Sequence, residues 1–205
     1  MKLYNSIGPN PRVVKMFLAE KGLELEHVPV DLMAGENRQP AYGAVNPSQT
    51  LPALEVDDGV VVAEITAICE YLDELHPNPP LIGTTPMQRA QTRMWTRRID
   101  LGVVEPMTNG FRYSQGLRLF QSRLHCIPQA ADDLKAIAQE KLTWLDGQID
   151  GREWIVSDRF TLADILLFCF VDFGATVGQP LNPDNKNILA WYDRTKARPS
   201  AAASA

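Results

Sequence analysis

The chain has 205 residues, with 20 lysines and arginines against 25 aspartates and glutamates, which gives a formal charge of −5 at pH 7. Hydrophobic residues make up 45% of the chain and charged residues 22%, an ordinary globular balance that excludes a disordered chain. An acidic chain without a large basic block disfavours nucleic acid and anionic membrane as partners, and favours a small or neutral one.

The sequence has the features expected of a cytoplasmic protein. Its longest apolar run, 165–171, is far shorter than the ~18 residues that a membrane span needs, and residues 1–6 are too polar for a secretory signal. Its three cysteines are odd in number and widely spaced, so no disulfide framework is expected.

The first part of the chain alternates between strand and helix patterns. Strands are expected at 2–4 and 26–30, where Pro29 indicates a sheet edge, and the helix between them ends at Gly22. A β-hairpin is expected over 52–62. A helix follows, whose apolar face consists of Ile65, Ile68, Cys69, Leu72 and Leu75. The predicted order is β-α-β-(short α)-β-β-α.

Prolines at 77, 79 and 80 end that helix, and the remainder of the chain is helical in pattern. The pattern predicts a long helix from Met87, Ala90, Met94 and Leu101, disturbed near Pro106. Residues 162–171 are apolar on all sides and predict a buried helix, whereas the tail from Pro199 is expected to be frayed. We therefore predict an α/β domain over 1–77, a linker over 78–85 and an all-helical domain over 86–200.

Two motifs carry the functional signal. The first is Asn-Pro-Ser-Gln-Thr-Leu-Pro-Ala-Leu over 46–54, and the second is Glu-Ile-Thr-Ala-Ile over 64–68. Together with the Thr-Leu-Ala-Asp capping box at 161–164, they resemble the cytosolic glutathione transferase family along the whole chain. The resemblance implies a thioredoxin-like N-terminal domain, an all-α C-terminal domain, glutathione as co-substrate and a homodimer.

The resemblance implies a glutathione site in the first domain. Pro52 would be cis and Leu51 would pair its backbone with the cysteinyl part of glutathione, although Gln49 replaces the family's usual glycine. Glu64 would bind the γ-glutamyl amine, and the helix N-terminus at Ile65, which replaces the family's serine, would bind the carboxylate. The resemblance also assigns Gln39 and Thr50 to this site. The alternative for Glu64 is a first-turn glutamate favoured by the helix dipole, and the alternative for Pro52 is the start of an edge strand.

The residue that activates the thiol is less evident. The family's hydroxyl position aligns with Gly8, which has no side chain, and Asn10 aligns with the asparagine used by some bacterial members. Asn10 and, secondarily, Ser6 are therefore the catalytic candidates, because a donor near a helix N-terminus stabilises a thiolate. The alternative for Asn10 is a helix N-cap ahead of Pro11.

For the second substrate we expect an apolar pocket to which the helical domain contributes, with Phe111 and Tyr113 as candidates; either ring is also readable as core. No metal site is expected, because the three histidines lie far apart. The sequence thus predicts an enzyme that conjugates glutathione to an apolar electrophile, or uses it to reduce a peroxide or disulfide. The alternative is a non-catalytic binding or scaffold protein on the same fold.

Overall fold

The computed structural model describes residues 1–205, except for the side chain of Asp58. Two compact units are present. The first comprises Met1–Thr84 together with Arg198–Ala205, and the second comprises Thr85–Ala197. The first unit contains the sheet, and the second is built from helices.

The sheet of the first unit is mixed and four-stranded. Its strands are β1 (Lys2–Asn5), β2 (Glu26–Pro29), β3 (Ala53–Glu55) and β4 (Val61–Ala63), in the order β2-β1-β3-β4. β1 is parallel to β2 and antiparallel to β3, which is antiparallel to β4. The helices of this part of the chain are α1 (Pro9–Lys21), α2 (Pro40–Val45) and α3 (Ile65–Leu75). The predicted element order is confirmed, and β2 with Pro29 is an edge strand.

The core of the first unit follows the apolar spacing of α1 and α3. Fully buried residues of the two helices and of the sheet include Leu3, Val13, Val14, Phe17, Leu54, Ile68, Cys69 and Leu72. Gly22 ends α1 in a left-handed conformation with φ of 63°, which glycine adopts without strain. Leu75 was predicted on the buried face of α3 but is 48% exposed, because it is the last residue before the helix ends.

A buried ion pair fixes the segment that follows α3. Lys21, at the end of α1, donates to the carboxylate of Asp73 and to the carbonyls of His76 (2.7 Å) and Pro79 (2.6 Å). Asp73 also accepts the backbone N–H of Leu81 at 3.0 Å. The ammonium thus has three acceptors, as a buried charge requires. These bonds hold residues 76–81 against the end of α1 within the first unit.

The helical unit consists of one long interrupted helix and four further helices. Their bounds are α4 (Pro86–Ile99), α5 (Glu105–Arg112), α6 (Leu117–Phe120), α7 (Ala131–Gln148), α8 (Leu162–Thr176) and α9 (Lys186–Lys196). A π-helical turn over Asp100–Val104 separates α4 from α5 immediately before Pro106, which confirms the predicted disturbance. In the part of the chain described, no helix combines the length and the apolar character that crossing a bilayer requires.

The residues that predicted α4 do not form its buried face. Met87, Met94 and Leu101 are 67%, 41% and 53% exposed. The buried face instead consists of Thr92, Trp95, Thr96 and Ile99. Sequence spacing identified the helix but assigned the wrong residues to its buried face. Two of the four buried residues are threonines, and a polar side chain is ordinarily assigned to the surface.

Helix α8 is buried along most of its length, as predicted, and begins with the predicted capping box. Asp164 accepts the backbone N–H of Thr161 at 2.9 Å and of Ile155 at 3.0 Å, and the indole N–H of Trp191 at 2.9 Å. Burial raises the pKa of the Asp164 carboxyl, while these donors act in the opposite direction. The residue organises the centre of the helical unit and has no role in the site below.

The tail of the chain is ordered, which corrects the prediction that it is frayed. Residues Pro199–Ala203 form α10, where Ala201 is 4% exposed, and the chain packs against α1. Arg198 donates two hydrogen bonds to Glu20, both 2.7 Å long, and Ser200 donates to the same carboxylate. The sequence did not reveal this pairing because its partners are 178 residues apart.

The contact between Glu20 and the tail makes stability depend on pH. Burial alone raises the pKa of Glu20, but the hydrogen bonds from Arg198 and Ser200 outweigh it and lower the pKa below the ordinary value of 4.5. A lowered pKa gives stability that is present above the unfolded pKa and is lost as the pH falls through the folded one. We expect Glu20→Gln to lower the free energy of unfolding at pH 7 by about 1–3 kcal/mol.

Urea unfolding at pH 7, 5, 4 and 3 measures this effect. The difference between wild type and Glu20→Gln should shrink as the pH falls below 4.5 and through the lower pKa of the folded state, where the Glu20 side chain becomes neutral like that of glutamine. Glu24→Gln is the control, because Glu24 is exposed on the turn after α1. A difference of the same size at pH 3 and at pH 7 would contradict the role assigned to the Glu20 carboxylate.

Candidate functional site

The register of the sheet brings three separate chain segments to one edge. Ala53 is paired with Tyr4 on β1 and with Ala63 on β4. Residues that precede Ala53 therefore lie at the same end of the sheet as those that follow β1 and β4. The segment before β3, the turn into α1 and the start of α3 therefore lie together at this edge.

The segment before β3 presents an unpaired backbone. The Leu51–Pro52 peptide bond is cis, as predicted. The Leu51 side chain is buried in a cluster with Val30 and Tyr42. Its backbone N–H and C=O form no hydrogen bond within the residues that the structure describes. Buried backbone groups are nearly always paired, so a ligand with an extended backbone is a natural partner for Leu51.

The start of α3 presents a carboxylate and free N–H groups. Glu64 has φ of 70°, a strained conformation for a residue other than glycine, and its side chain is exposed. The carbonyl of Glu64 accepts the N–H of Ile68 at 2.9 Å. The N–H groups of Ile65, Thr66 and Ala67 precede that bond and have no acceptor in the described chain.

This arrangement suits the charged end of an amino acid. An exposed carboxylate attracts an ammonium group, and the N–H groups at a helix N-terminus attract a carboxylate. Because Glu64 and these N–H groups are adjacent, they can receive both charges of one α-amino acid group together. The side chain of Ile65 adds no hydrogen bond, so its contribution is through the backbone alone.

The start of α1 presents a single residue with free donors. Gly8 is the N-cap, with φ of 110°, and the alternative that Asn10 is the N-cap is wrong. Pro9 and Pro11 have no N–H, and the N–H of Arg12 is bonded to the carbonyl of Gly8 at 3.3 Å. Asn10 is thus the one residue of this turn with a free N–H, and its amide has no partner among the described residues.

Ser6 lies just ahead of this turn and its proton is already engaged. Its hydroxyl donates to the carbonyl of Val30 at 2.6 Å. That bond ties the end of β1 to the chain after β2, where the Val30 N–H also donates to the Asn5 carbonyl at 2.8 Å. To donate to a ligand, Ser6 would have to give up this bond.

The remaining predicted residues of the first unit differ in their surroundings. Gln39 is exposed at the N-terminus of α2, and Thr50 is exposed immediately before Leu51. The carbonyl of Thr50 accepts hydrogen bonds from Tyr42 at 2.7 Å and Asn46 at 2.9 Å. Sequence reasoning missed the role of Tyr42, and the Asn46 of the recognised motif was the one available signal for this contact.

The two aromatic candidates of the helical unit have different environments. Phe111 packs edge-on against Phe173, with ring centroids 5.2 Å apart, and against Phe120 at 6.0 Å. Tyr113 ends α5 and is partly exposed. Phe111 is therefore held in an aromatic cluster, whereas Tyr113 has no aromatic ring contact among the described residues.

Cysteines and potential metal ligands contribute no further site. Cys69 and Cys169 are fully buried, as predicted, and no disulfide joins any of the three cysteines among the described residues. Among the side chains that the structure describes, no three histidines, cysteines or carboxylates lie close enough together to bind a metal ion.

Sequence comparison identifies the same family in both halves of the chain. Residues 7–75 match the family model "Glutathione S-transferase, N-terminal domain" and residues 125–199 match "Glutathione S-transferase, C-terminal domain". Glutathione S-transferase 2 of Saccharomyces cerevisiae is 32% identical over 200 residues, which cover 94% of this chain and 84% of that protein. Maleylacetoacetate isomerase of Pseudomonas aeruginosa is 34% identical over 170 residues, which cover 82% and 78%.

Solved structures agree with this assignment. The crystal structure of Gtt2 from Saccharomyces cerevisiae superposes with a TM-score of 0.93 at 31% identity and covers all of both chains. That of a glutathione S-transferase domain-containing protein from Marinobacter aquaeolei gives 0.92 at 35% identity, covering 98% of this chain and 99% of that one. The chain has the thioredoxin-like and all-helical domains of these proteins, and it belongs to the glutathione S-transferase family of enzymes.

Proposed function

We propose that the protein binds glutathione at the edge of its sheet and joins it, through its sulfur, to an apolar electrophile. The observation that carries this proposal is the unpaired backbone of Leu51 before a cis proline, at the same sheet edge as the free carboxylate of Glu64. A site that offers one extended backbone and one charged pair fits a short peptide with an α-amino acid end.

Each part of glutathione has a partner in this proposal. The N–H and C=O of Leu51 pair with the backbone of the cysteinyl residue, as an added strand would. Glu64 binds the γ-glutamyl ammonium, and the first N–H groups of α3 bind its carboxylate. Thr50 and Gln39, which are both exposed, would contact glutathione at the rim of the site.

The thiol reacts as a thiolate, and Asn10 is the residue that favours this form. Its amide and its backbone N–H are both hydrogen-bond donors, and both lie in the first turn of α1, where the helix dipole stabilises negative charge. Neutral donors of this kind lower a thiol pKa by roughly one unit each. Since Asn10 is not a base, the proton leaves to solvent.

The reaction follows from the nucleophile. The thiolate attacks an electrophilic carbon, a carbon–sulfur bond forms, and the leaving group departs with its electron pair. Tyr113, which is partly exposed and lies outside the aromatic cluster, supports a contact with an apolar second substrate, whereas the packing of Phe111 gives that residue the role of support.

Asn10 also favours a second candidate reaction, the reduction of a peroxide. Attack of the thiolate on a peroxide cleaves the O–O bond, yielding an alcohol and a sulfenic acid of glutathione. A second glutathione then displaces water to form the disulfide. This route needs thiolate but no stabilisation of a leaving group on carbon, so a site with only neutral donors serves it well.

The proposal extends to assembly and location. Met87 and Met94 are exposed one heptad apart on α4, which supports an apolar contact with a second copy of the chain in a homodimer. The three cysteines, which form no disulfide among the described residues, support a reducing compartment such as the cytoplasm.

Replacing Glu64 tests the glutathione site directly. Wild type should bind glutathione in a calorimetric titration, and Glu64→Gln should raise the dissociation constant about 5- to 30-fold, or 1–2 kcal/mol, through loss of one charge-assisted hydrogen bond at an exposed position. Glu74→Gln is the matched control, because it removes the same charge ten residues later on the same helix.

The same titration separates the enzyme from its alternative. No binding of glutathione by wild type would favour the non-catalytic binding or scaffold protein. A lower melting temperature with an unchanged dissociation constant in Glu64→Gln would return Glu64 to a helix-dipole role.

Replacing Asn10 and Ser6 tests thiol activation. With a chromogenic halonitrobenzene and with an organic hydroperoxide, Asn10→Ala should lower turnover about tenfold at pH 7 rather than abolish it, because the N–H of residue 10 remains. The deficit should shrink as the pH rises, since free thiol then ionises without help. Ser6→Ala should have the smaller effect on turnover, because its hydroxyl is bonded to Val30. Loss of activity in Ser6→Ala with full activity in Asn10→Ala would reverse the assignment.

A further inference from the structure

Three side chains donate hydrogen bonds to the backbone carbonyls of the two residues before Leu51. Asn37 donates its amide to the carbonyl of Gln49 at 2.7 Å. Tyr42 and Asn46 both donate to the carbonyl of Thr50, at 2.7 Å and 2.9 Å. Two consecutive peptide units are therefore held by side-chain donors that lie before α2, within it and immediately after it.

These hydrogen bonds orient the Leu51 N–H, which is one of the groups that the proposed function pairs with glutathione. The carbonyl of Thr50 and the N–H of Leu51 belong to one peptide unit, and this peptide bond is not among the cis bonds of the described chain. In a planar trans peptide the C=O and N–H groups point in opposite directions. Donors that hold the Thr50 oxygen therefore set the direction in which the Leu51 N–H points.

Tyr42 is the rigid member of this set. It is 5% exposed and packs with Val30 and Leu51. Its ring also lies edge-on to that of Tyr4, with centroids 6.0 Å apart. Because the ring cannot shift, its hydroxyl oxygen is a fixed point against which the Thr50 carbonyl is placed. Burial raises the pKa of Tyr42 to about 12, so the hydroxyl remains a donor at every pH used for enzyme assays.

The segment needs to be held because it is strained. Gln49 has φ of 55°, a left-handed conformation that a residue with a side chain adopts only when its surroundings impose it. Relaxation of Gln49 would rotate the peptide units that follow it. The bonds from Asn37 and Tyr42 oppose that rotation in the two peptide units on either side of Thr50.

We propose that Tyr42 is a positioning residue for glutathione, which acts through the Thr50 carbonyl to aim the Leu51 backbone at the ligand. The inference rests on the proposed function, since it concerns the same glutathione site. Tyr42 does not touch the reacting sulfur. Its effect is confined to how well glutathione is bound.

Tyr42→Phe is the variant that tests this role, because it removes one hydroxyl and keeps the buried ring. Tyr4→Phe is the matched control: it also keeps the ring that packs against Tyr42, but the hydroxyl that it removes donates to Glu55 at 2.7 Å and not to residues 49–51. In calorimetric titrations with glutathione, we expect Tyr42→Phe to raise the dissociation constant about three- to tenfold, the value of one neutral hydrogen bond, and Tyr4→Phe to leave it within twofold.

Steady-state kinetics give the readout that a merely structural role would not move. In Tyr42→Phe, KM for glutathione should rise by the same factor, while KM for the halonitrobenzene and kcat at saturating glutathione stay within twofold. The pH profile of turnover should match that of wild type, in contrast to the profile expected for Asn10→Ala. A shifted profile would make Tyr42 part of thiol activation and would overturn the positioning role.

A second variant guards against loss of the fold. Asn46→Ser replaces the amide group that donates to the Thr50 carbonyl with a shorter hydroxyl, and it keeps an oxygen to accept the N–H of Ser48, which is bonded to Asn46 at 3.1 Å in the wild type. It should weaken glutathione binding in the same direction as Tyr42→Phe. If wild type binds glutathione and both variants bind it equally well, the positioning role is wrong and the proposed function stands. If wild type does not bind glutathione, both are wrong.

Discussion

The site depends on one constraint, the register in which β3 pairs with both of its neighbours. Ala53 lies opposite Tyr4 on one side and Ala63 on the other. A shift by one residue would reverse which side chains of β3 face the core, where Leu54 is fully buried, so the register is strongly specified. The register therefore also fixes the positions of Leu51, of Glu64 and of the turn into α1 at one edge of the sheet.

Within this frame the site is built mainly from backbone groups. Leu51 offers its own N–H and C=O, α3 offers its first N–H groups, and α1 offers a single N–H because prolines flank Asn10. Backbone donors are neutral and fixed in place, which favours recognition of a peptide over strong activation of its thiol. An enzyme of this composition should hold glutathione well and ionise it modestly.

The sequence predicted those features that are encoded locally. Gly22, the cis bond at Pro52, the capping box at Thr161 and the buried helix α8 each have a signal within a few residues, and each is present. Features that depend on distant partners were missed. The tail is ordered because Arg198 meets Glu20, and Tyr42 reaches the Thr50 carbonyl across a turn that no spacing rule describes. The buried face of α4 was assigned wrongly because two of its four residues are threonines, whose polar side chains predict exposure.

The central claim is that the Leu51 backbone pairs with glutathione as an added strand. Amide hydrogen exchange of the full chain, followed by NMR with and without saturating glutathione, tests it most directly. We predict that glutathione slows exchange of the Leu51 amide about tenfold or more, since that N–H has no acceptor among the described residues, and leaves the Val60 amide at the opposite end of the hairpin unchanged. Binding of glutathione with unchanged exchange at Leu51 would contradict the claim.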